Sequence, residues 1–263
     1  MITGKFIRLS RIFNNGRTVI VPIDDSLISG PENGLFRIDR TIQHIIKGKP
    51  DGIICYKGLL KDNFKSLEGT SIILNITAST NRSSHTRKVL IGSVEESLAL
   101  GADAVAVHVN ISSKYEFEML RILGEVSREC ELLGMPLMAI IYPRTEINSK
   151  DDNYYDLKNE NIHEYTSLVK HSVRIACDLG ADIVKTQFTG TVESFKEVIE
   201  SSMGIPIIIA GGPKLSKEDA LGNARMAIAA GVSGVCFGRN TFNRTFVTDF
   251  IMELKEIVYK KSN

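Results

Sequence analysis

Eight short apolar runs recur along the chain and set the first expectation about its fold. The runs are rich in Ile and Val and alternate little with polar residues, which is typical of parallel strands covered on both faces. They occupy residues 19–23, 52–56, 71–76, 104–109, 137–142, 183–188, 205–210 and 234–237. We therefore predict eight buried parallel strands.

Helical periodicity fills the segments between the runs. Isoleucines at positions 38, 42, 45 and 46 share one helix face. A helix end, a glycine suited to a left-handed cap, a polar residue and a strand recur as one unit at 100–105 and 179–184, and more loosely at 230–235. This repeat predicts a (β/α)8 barrel, the TIM-barrel fold of the α/β class, in a single domain over residues 1–263. A doubly wound open sheet is the alternative, which eight evenly spread strands disfavour.

One long polar stretch, residues 148–164, follows the fifth predicted strand. A connection of this length is unusual in a compact domain. Two interpretations are open. The stretch is a mobile surface loop, or it is a lid over the site or a subunit contact.

Composition narrows the class of protein. Of 263 residues, 43% are hydrophobic and 24% are charged, which is ordinary globular usage and excludes disordered chains and disulfide scaffolds. Lys plus Arg number 32 and Asp plus Glu number 31, so the formal net charge is +1. No overall field therefore draws the protein to nucleic acid or to an anionic membrane.

Cysteine and histidine spacing bears on compartment and metals. The four cysteines lie far apart and form no CxxC pair, which fits a reducing cytoplasm. The amino-terminal residues 1–13 lack the apolar stretch of a signal peptide, and no apolar run approaches the roughly 20 residues of a membrane span. The five histidines show neither HxH nor HExxH spacing, so no metal site is expected.

A lysine inside the sixth predicted strand is the most informative residue. Lys185 has apolar neighbours, so its side chain points either into the barrel or into the helix layer, and both places disfavour an ammonium. Desolvation is expected to lower its pKa from about 10.4 toward about 7–8, and a neutral amine can attack a carbonyl to form a Schiff base. The alternative is a lysine paired with a buried carboxylate.

Three other polar residues end predicted strands, where the active site of a TIM barrel lies. The phenol of Tyr142 could relay protons to a substrate hydroxyl, although a core tyrosine is the commoner case. The carboxylate of Asp24 could hold or deprotonate a hydroxyl, or it could cap a neighbouring loop. His108 is either a site residue or a satisfied core histidine.

The turns after the seventh and eighth strands form a candidate phosphate site. Gly211 and Gly212 follow one strand, and Gly238 follows the other. Glycines let backbone N–H groups approach an anion, and Arg239 or Lys214 adds positive charge. These two loops are the usual phosphate-binding loops of this barrel, so we favour phosphate over ordinary turn chemistry.

At these residues the sequence resembles the archaeal-type class I aldolases, the group that includes fructose-bisphosphate aldolases and 2-amino-3,7-dideoxy-D-threo-hept-6-ulosonate synthases. The matching stretches run in the same order across nearly the whole chain. They are residues 19–31, 57–58, 89–110, 142–144, 182–190, 210–214 and 238–239. Each stretch is short, but together they are specific.

The resemblance implies a mechanism and partners. Lys185 would be the Schiff-base lysine, Tyr142 the acid/base residue and Asp24 the helper carboxylate, with no cofactor beyond the lysine imine. The glycine turns would hold the phosphate of a keto-sugar that reacts with an aldehyde. Asp25 and Lys57 complete the candidate substrate-binding set. Members of the group are TIM barrels that often assemble into large homo-oligomeric rings.

Departures from the family pattern bear on the substrate. Asp25 and Ser26 stand where the family has His-Gly, and Ile140 stands where fructose-bisphosphate aldolases have Trp. These changes favour the biosynthetic synthases, which serve aromatic amino acid biosynthesis and join a keto-sugar fragment to aspartate semialdehyde. Asp25 could then pair with the ammonium of that aldehyde. The alternatives are a fructose-bisphosphate aldolase, or a phosphate-binding barrel enzyme of isomerase or thiolase type without imine chemistry.

Overall fold

The barrel predicted from the apolar runs is present and closed. A computed structural model describes residues 3–31, 33–67, 69–148 and 150–260. Its eight parallel strands each pair with the next along the chain, and the first pairs with the last. This confirms the (β/α)8 barrel and shows that the open-sheet alternative is wrong. The strands are β1 (Thr18–Pro22), β2 (Gly52–Cys55), β3 (Ser71–Asn75), β4 (Ala104–Ile111), β5 (Leu137–Pro143), β6 (Ile183–Gln187), β7 (Ile207–Ala210) and β8 (Gly234–Cys236).

Helices surround the barrel and connect its strands. They are α1 (Thr3–Ile12), α2 (Asp25–Ser29), α3 (Ile38–Lys47), α4 (Lys57–Asn63), α5 (Val94–Ala99), α6 (Glu116–Leu133), α7 (Tyr155–Glu160), α8 (Ile162–Asp178), α9 (Val192–Glu200), α10 (Lys217–Ala230), α11 (Arg239–Phe242) and α12 (Val247–Tyr259). In α3, α6, α8 and α10, apolar residues recur every three or four positions and face the barrel. None of the described helices is long and apolar enough to span a membrane.

The apolar core has two layers. A large outer cluster fills the space between strands and helices, and a smaller inner cluster fills the barrel itself. Alternation along β6 shows the division, because Ile183 belongs to the inner cluster and Val184 to the outer one. The same alternation turns Lys185 inward.

Helix α1 closes the amino-terminal end of the barrel. Ile12, at its end, is fully buried in the inner cluster. The buried Lys5 ammonium lies 3.0 Å from a carboxylate oxygen of Asp182 and 2.7 Å from one of Glu131. Arg11 adds an ion pair of 3.0 Å with Asp103. The substrate-accessible opening is therefore at the opposite, carboxyl-terminal end.

Two small antiparallel sheets lie at that carboxyl-terminal end. Thr77–Ala78 pairs with Val89–Leu90, and Thr145–Ile147 pairs with Lys150–Asp152. The expected long polar loop at 148–164 is thus mostly regular structure, since it contains the second strand of this hairpin, then α7 and the start of α8. Ser149 lies outside the described residues. The strands of these two sheets escaped sequence analysis because they are only two or three residues long, too short to show a period.

Candidate active site

The carboxyl-terminal end of the barrel opens into a cavity of about 350 Å³. This volume suits a small metabolite. Nine of the eleven residues proposed from the sequence line it: Asp24, Asp25, His108, Tyr142, Lys185, Gly211, Gly212, Gly238 and Arg239. The strand-end rule explains this convergence, since parallel strands deliver their last residues to one rim.

Lys185 points from β6 into the barrel and is almost fully buried. Its backbone lies beside Ile140 of β5 and Ile208 of β7. Within the described residues, no carboxylate approaches its ammonium to ion-pair distance. The alternative of a lysine locked in a buried ion pair therefore does not hold.

Opposing effects act on the pKa of Lys185. Burial lowers it, as the sequence predicts, and the Asp24 charge raises it. Cys236 and Tyr142 raise it only as anions, and burial keeps the Cys236 thiol protonated at neutral pH by raising its pKa to about 11. Nucleophilic attack needs the neutral amine, so an ammonium at this position must lose its proton to a base.

Tyr142 ends β5 beside Lys185 and is buried. Its ring meets that of His108 edge to face, with centroids 5.1 Å apart, and the Arg144 guanidinium lies 5.7 Å from its centroid. Burial raises the pKa of Tyr142, against the lowering effect of Lys185. The phenol therefore stays protonated at neutral pH and is a proton donor to whatever occupies the cavity.

A short hydrogen-bond chain holds the carboxylate of Asp24. Asn75, at the end of β3, donates its side-chain N–H to Asp24 at 2.8 Å. The side-chain amide oxygen of Asn75 accepts from both the backbone N–H and the hydroxyl of Thr77, each at 3.1 Å. Because one Asp24 oxygen is fixed in this way, the carboxylate keeps a constant orientation toward the cavity.

His108 is buried, and its imidazole lines the cavity. Burial, aided by the Lys88 charge, lowers its pKa well below the ordinary value, so the ring is neutral. Its Nε2 atom has no hydrogen-bond partner among the described residues. A buried polar atom without a partner costs free energy, which a ligand hydroxyl can recover. The core-histidine interpretation does not account for this unsatisfied atom.

The two glycine turns adjoin each other at the rim. A Cβ atom on Gly211 would lie 3.0 Å from a ring carbon of Phe237, and Gly212 has a φ of +64°. The buried Asn240 amide fixes this turn by donating to the Gly211 carbonyl at 2.7 Å. Arg239 begins α11 directly after the second turn, exposed at the rim. The turns thus bring backbone N–H groups and one guanidinium to the same place, as an anion requires.

Asp25 also lines the cavity. Burial raises the pKa of its carboxyl, and the charges of Arg239, Lys185 and Arg144 oppose that rise.

Two sequence-proposed residues lie elsewhere. Lys57 does not line the cavity, because its ammonium is held 2.9 Å from the Glu96 carboxylate on α5 and donates to the Ile91 carbonyl at 3.2 Å. Lys214 is exposed and borders a separate surface cleft with Lys217. Both assignments to the substrate site are corrected: one lysine is engaged in an ion pair and the other faces solvent outside the barrel mouth.

Five residues near the site escaped sequence analysis. Asn75 and Cys236 end β3 and β8, so the strand-end rule, applied to all polar residues, would have included them. His85 and Lys88 lie in the connection that precedes the strand Val89–Leu90, and Asp151 lies in the short strand Lys150–Asp152, where no strand or helix pattern marks such residues. No group of three or more His, Cys, Asp or Glu residues suited to a metal ion occurs in the part of the chain that is described.

Comparisons with known proteins agree with this geometry. Residues 18–244 match the DeoC/LacD family of aldolases. The chain is 38% identical over 258 residues to 2-amino-3,7-dideoxy-D-threo-hept-6-ulosonate synthase 1 of Archaeoglobus fulgidus, covering 97% of this chain and 91% of the relative. It is 36% identical over 244 residues to the 2-amino-4,5-dihydroxy-6-oxo-7-(phosphonooxy)heptanoate synthase of Streptomyces griseus, covering 91% and 84%.

A solved structure gives a view of the chemistry in a similar protein. It is an archaeal fructose-1,6-bisphosphate aldolase with its catalytic lysine covalently bound to the carbinolamine intermediate of the substrate. The two folds superpose with a TM-score of 0.84 at 25% sequence identity, over 97% of this chain and 99% of the other.

Proposed function

The chain belongs to the DeoC/LacD aldolase family and is an enzyme of the class I, Schiff-base type, and we propose that it joins a dihydroxyacetone-phosphate unit to aspartate semialdehyde. The observation that carries this proposal is the environment of Lys185, a buried amine that faces the cavity with Tyr142 and Asp24 beside it. The ketone unit enters free or is released from a keto-sugar phosphate.

The substrates follow from the carbon skeleton made by the Streptomyces relative. Its product name gives a seven-carbon chain with a carboxylate, an amine at C2, hydroxyls at C4 and C5, a ketone at C6 and a phosphate on C7. An aldol bond joins the carbon next to a ketone to a carbon bearing a hydroxyl, here C5 to C4. Breaking it yields dihydroxyacetone phosphate from C5–C7 and aspartate semialdehyde from C1–C4.

Lys185 acts as the nucleophile. Its amine attacks the ketone carbon to give a carbinolamine, and loss of water gives an iminium ion. The iminium draws electrons from the neighbouring carbon, which loses a proton and becomes an enamine. The enamine carbon attacks the aldehyde carbon, and the aldehyde oxygen takes up a proton. Water then hydrolyses the new iminium, which returns the water lost earlier and frees the lysine.

Tyr142 and Asp24 move the protons. Asp24 accepts the proton that Lys185 must lose before it attacks. The neutral phenol protonates the ketone oxygen, regains a proton from the carbinolamine nitrogen and then protonates the departing hydroxyl, which leaves as water. Asn75 keeps the Asp24 oxygen in place for this transfer. His108, with its unpaired Nε2, binds a hydroxyl of the substrate chain.

The glycine turns, Gly211-Gly212 and Gly238, hold the donor phosphate together with Arg239. Binding energy from this remote group positions the ketone beside Lys185. Asp25, next to Arg239, orients the donor on the same side. We further propose a place in the biosynthesis of aromatic amino acids and a homo-oligomeric, ring-shaped assembly, as in the aldolases that the sequence resembles. Native mass spectrometry measures the assembly directly.

Borohydride reduction tests the Schiff base. The protein is incubated with dihydroxyacetone phosphate, reduced, digested and analysed by peptide mass spectrometry. We expect a stable adduct on Lys185 and none in Lys185→Met, which should lose turnover while still binding the phosphate ligand. Lys57→Met is the matched control, because that lysine lies outside the cavity, and it should react like the wild type. Near-normal turnover of Lys185→Met would refute the imine mechanism and favour an isomerase-type reaction.

A further inference from the structure

A second polar cluster borders the same cavity. His85 and Asp151 both line it. His85 lies in the connection between the strands Thr77–Ala78 and Val89–Leu90, and Asp151 lies in the strand Lys150–Asp152. Lys88 lies behind His85 and is only 2% exposed. The mechanism proposed above uses none of these residues.

The hydrogen bonds of His85 decide which ring nitrogen faces the cavity. Its Nδ1 atom lies 3.0 Å from the Ser79 hydroxyl and 3.3 Å from the Lys88 ammonium. Lys88 also donates to the Ser79 hydroxyl at 2.6 Å. Lys88 has a further N–H to offer Nδ1 whether it is an ammonium or an amine, so Nδ1 accepts and the ring proton belongs on Nε2. Burial, with the Lys88 charge, lowers the pKa of His85 to about 3, and the ring is therefore neutral with a fixed tautomer.

The His85 Nε2–H group and the Asp151 carboxylate face each other without a hydrogen bond. Nε2 lies 4.0 Å from the nearest carboxylate oxygen, which is too long for one. One is a donor, the other is an anionic acceptor, and both border the cavity. A group that offers an acceptor to His85 and a donor to Asp151 at the same time would complete the arrangement.

A nearby guanidinium adds a second donor. Arg144 donates from Nε to the Asn153 side-chain oxygen at 2.5 Å. Its terminal nitrogens have no hydrogen bond with the described residues, and the side chain lines the cavity. The cluster thus presents donors from His85 and Arg144 beside one carboxylate.

We propose that His85, Arg144 and Asp151 bind the α-amino-carboxylate end of the aldehyde acceptor, with Lys88 as a positioning residue for His85. The acceptor carboxylate accepts from His85 Nε2–H and from Arg144, and its ammonium donates to Asp151. The inference rests on the proposed function, because it assigns a subsite for the second substrate of the same reaction. It places the ammonium on Asp151, whose carboxylate lies 4.0 Å from His85 Nε2 and is therefore within reach of the same small head group.

The charges of the cluster favour a zwitterion over a phosphate. A phosphate dianion would be attracted by Arg144 and Lys88 but repelled by Asp151 at the same place. An amino acid head group has a positive and a negative end within one small unit, and it matches both signs.

A panel of four aldehydes with dihydroxyacetone phosphate as donor tests the subsite: aspartate semialdehyde, succinic semialdehyde without the amine, 3-aminopropanal without the carboxylate, and propanal without either. Asp151→Asn should lower kcat/KM about 10–100-fold for the two amino aldehydes, the range expected for one charged hydrogen bond, and less than twofold for the other two. His85→Ala should lower kcat/KM selectively for the two aldehydes that have a carboxylate, aspartate semialdehyde and succinic semialdehyde. Lys88→Met should raise KM for these two aldehydes more than it changes kcat.

Control variants separate the subsite from general damage. Asp156→Asn removes a carboxylate from the same segment, outside the cavity lining, and should leave kcat/KM for all four aldehydes unchanged. Equal losses on all four aldehydes in Asp151→Asn would overturn the proposal. The proposal would also be overturned if only Asp25→Asn, and not Asp151→Asn, lowered kcat/KM selectively for the amino aldehydes. A wild-type enzyme that prefers glyceraldehyde 3-phosphate to aspartate semialdehyde would overturn it as well. Borohydride trapping with the donor alone reports the imine in every variant, so failure of the subsite and failure of the aldolase mechanism are distinguishable.

Discussion

The catalytic lysine proposed here is not activated by burial alone. Burial lowers the pKa of Lys185 and the Asp24 charge raises it, so the amine must lose any proton it holds before it attacks the ketone. In the proposed mechanism Asp24, held by Asn75, accepts that proton. The cavity thus offers the amine both a carboxylate, Asp24, and a neutral phenol, Tyr142. That pairing matches the alternating gain and loss of protons through carbinolamine formation and dehydration.

Lys88, the proposed positioning residue for His85, lowers the stability of the fold because its ammonium is buried. Burial lowers its pKa from 10.5 to about 7, so folding favours the neutral amine. The unfolded chain then binds more protons between pH 7 and 10.5, and the free energy of unfolding must rise with pH in that window, by as much as about 1.4 kcal/mol per pH unit. Below pH 7 the penalty of the buried ammonium is fully present.

Substituting this lysine should therefore stabilise the fold. We expect Lys88→Met to have a higher Tm than the wild type at pH 7, and to lose most of the rise in stability between pH 7 and 10. Thermal unfolding at a series of pH values measures both. Lys196→Met, at an exposed position of α9, is the control and should keep the wild-type slope. A Lys88→Met protein that is less stable at pH 7 with an unchanged slope would contradict this account.

Among the structural elements, the hairpin that carries Asp151 is tied to the segment that carries His85. The Glu146 carboxylate accepts from the Ser84 hydroxyl, from the Thr86 hydroxyl at 2.7 Å and from Lys114 at 3.1 Å. This clamp joins the hairpin to the connection between Ala78 and Val89, which carries His85. It supports the lid interpretation of the polar stretch over the mobile-loop one, because Asp151, from that stretch, lines the cavity.

The clamp predicts a pH-dependent contribution to stability. Hydrogen bonds from Ser84 and then Thr86 lower the pKa of Glu146 from 4.5 to about 2. A carboxyl with a depressed pKa stabilises the fold above its unfolded value and loses that effect as the pH falls through the folded value. Glu146→Ala should thus unfold at a lower temperature than the wild type at pH 7, and the difference should shrink between about pH 4.5 and 2.

Hydrogen exchange localises the same effect. Backbone amides of residues 145–152 should exchange faster in Glu146→Ala than in the wild type, and Glu146→Gln, which keeps an acceptor oxygen, should lie between them. Lys114→Ala removes only the more exposed ion pair and should change little. Unchanged exchange in Glu146→Ala would mean that the hairpin is held by other contacts.

The sequence predicts the elements that bury apolar surface and misses those that do not. All eight barrel strands were expected, with boundaries differing by at most two residues, because continuous Ile and Val runs are required on a strand buried on both faces. The two small sheets have strands of two or three residues, too short to show a period, and His85 lies in the connection between the strands of one of them. The cavity residues at barrel strand ends were therefore predictable, whereas His85 and Asp151 were not.

At the scale of the whole molecule, the two ends of the barrel have separate roles. The carboxyl-terminal end carries the cavity and its charged groups, and the amino-terminal end is sealed by α1. Between them, the inner cluster fills the interior with mostly apolar side chains. Residues at the sealed end should consequently affect stability without affecting the reaction.

Ile12 allows a direct test of this separation. It is completely buried where α1 meets the inner cluster, and truncation to alanine should cost about 2–5 kcal/mol. For a chain of this size each kcal/mol lowers Tm by about 2–4 °C. Ile12→Ala should therefore melt clearly earlier while kcat/KM at 25 °C stays within twofold. Phe6→Ala, on the same helix but 65% exposed, should change neither quantity. A loss of kcat/KM in Ile12→Ala at a temperature where the protein is fully folded would show that the barrel transmits changes at its sealed end to Lys185.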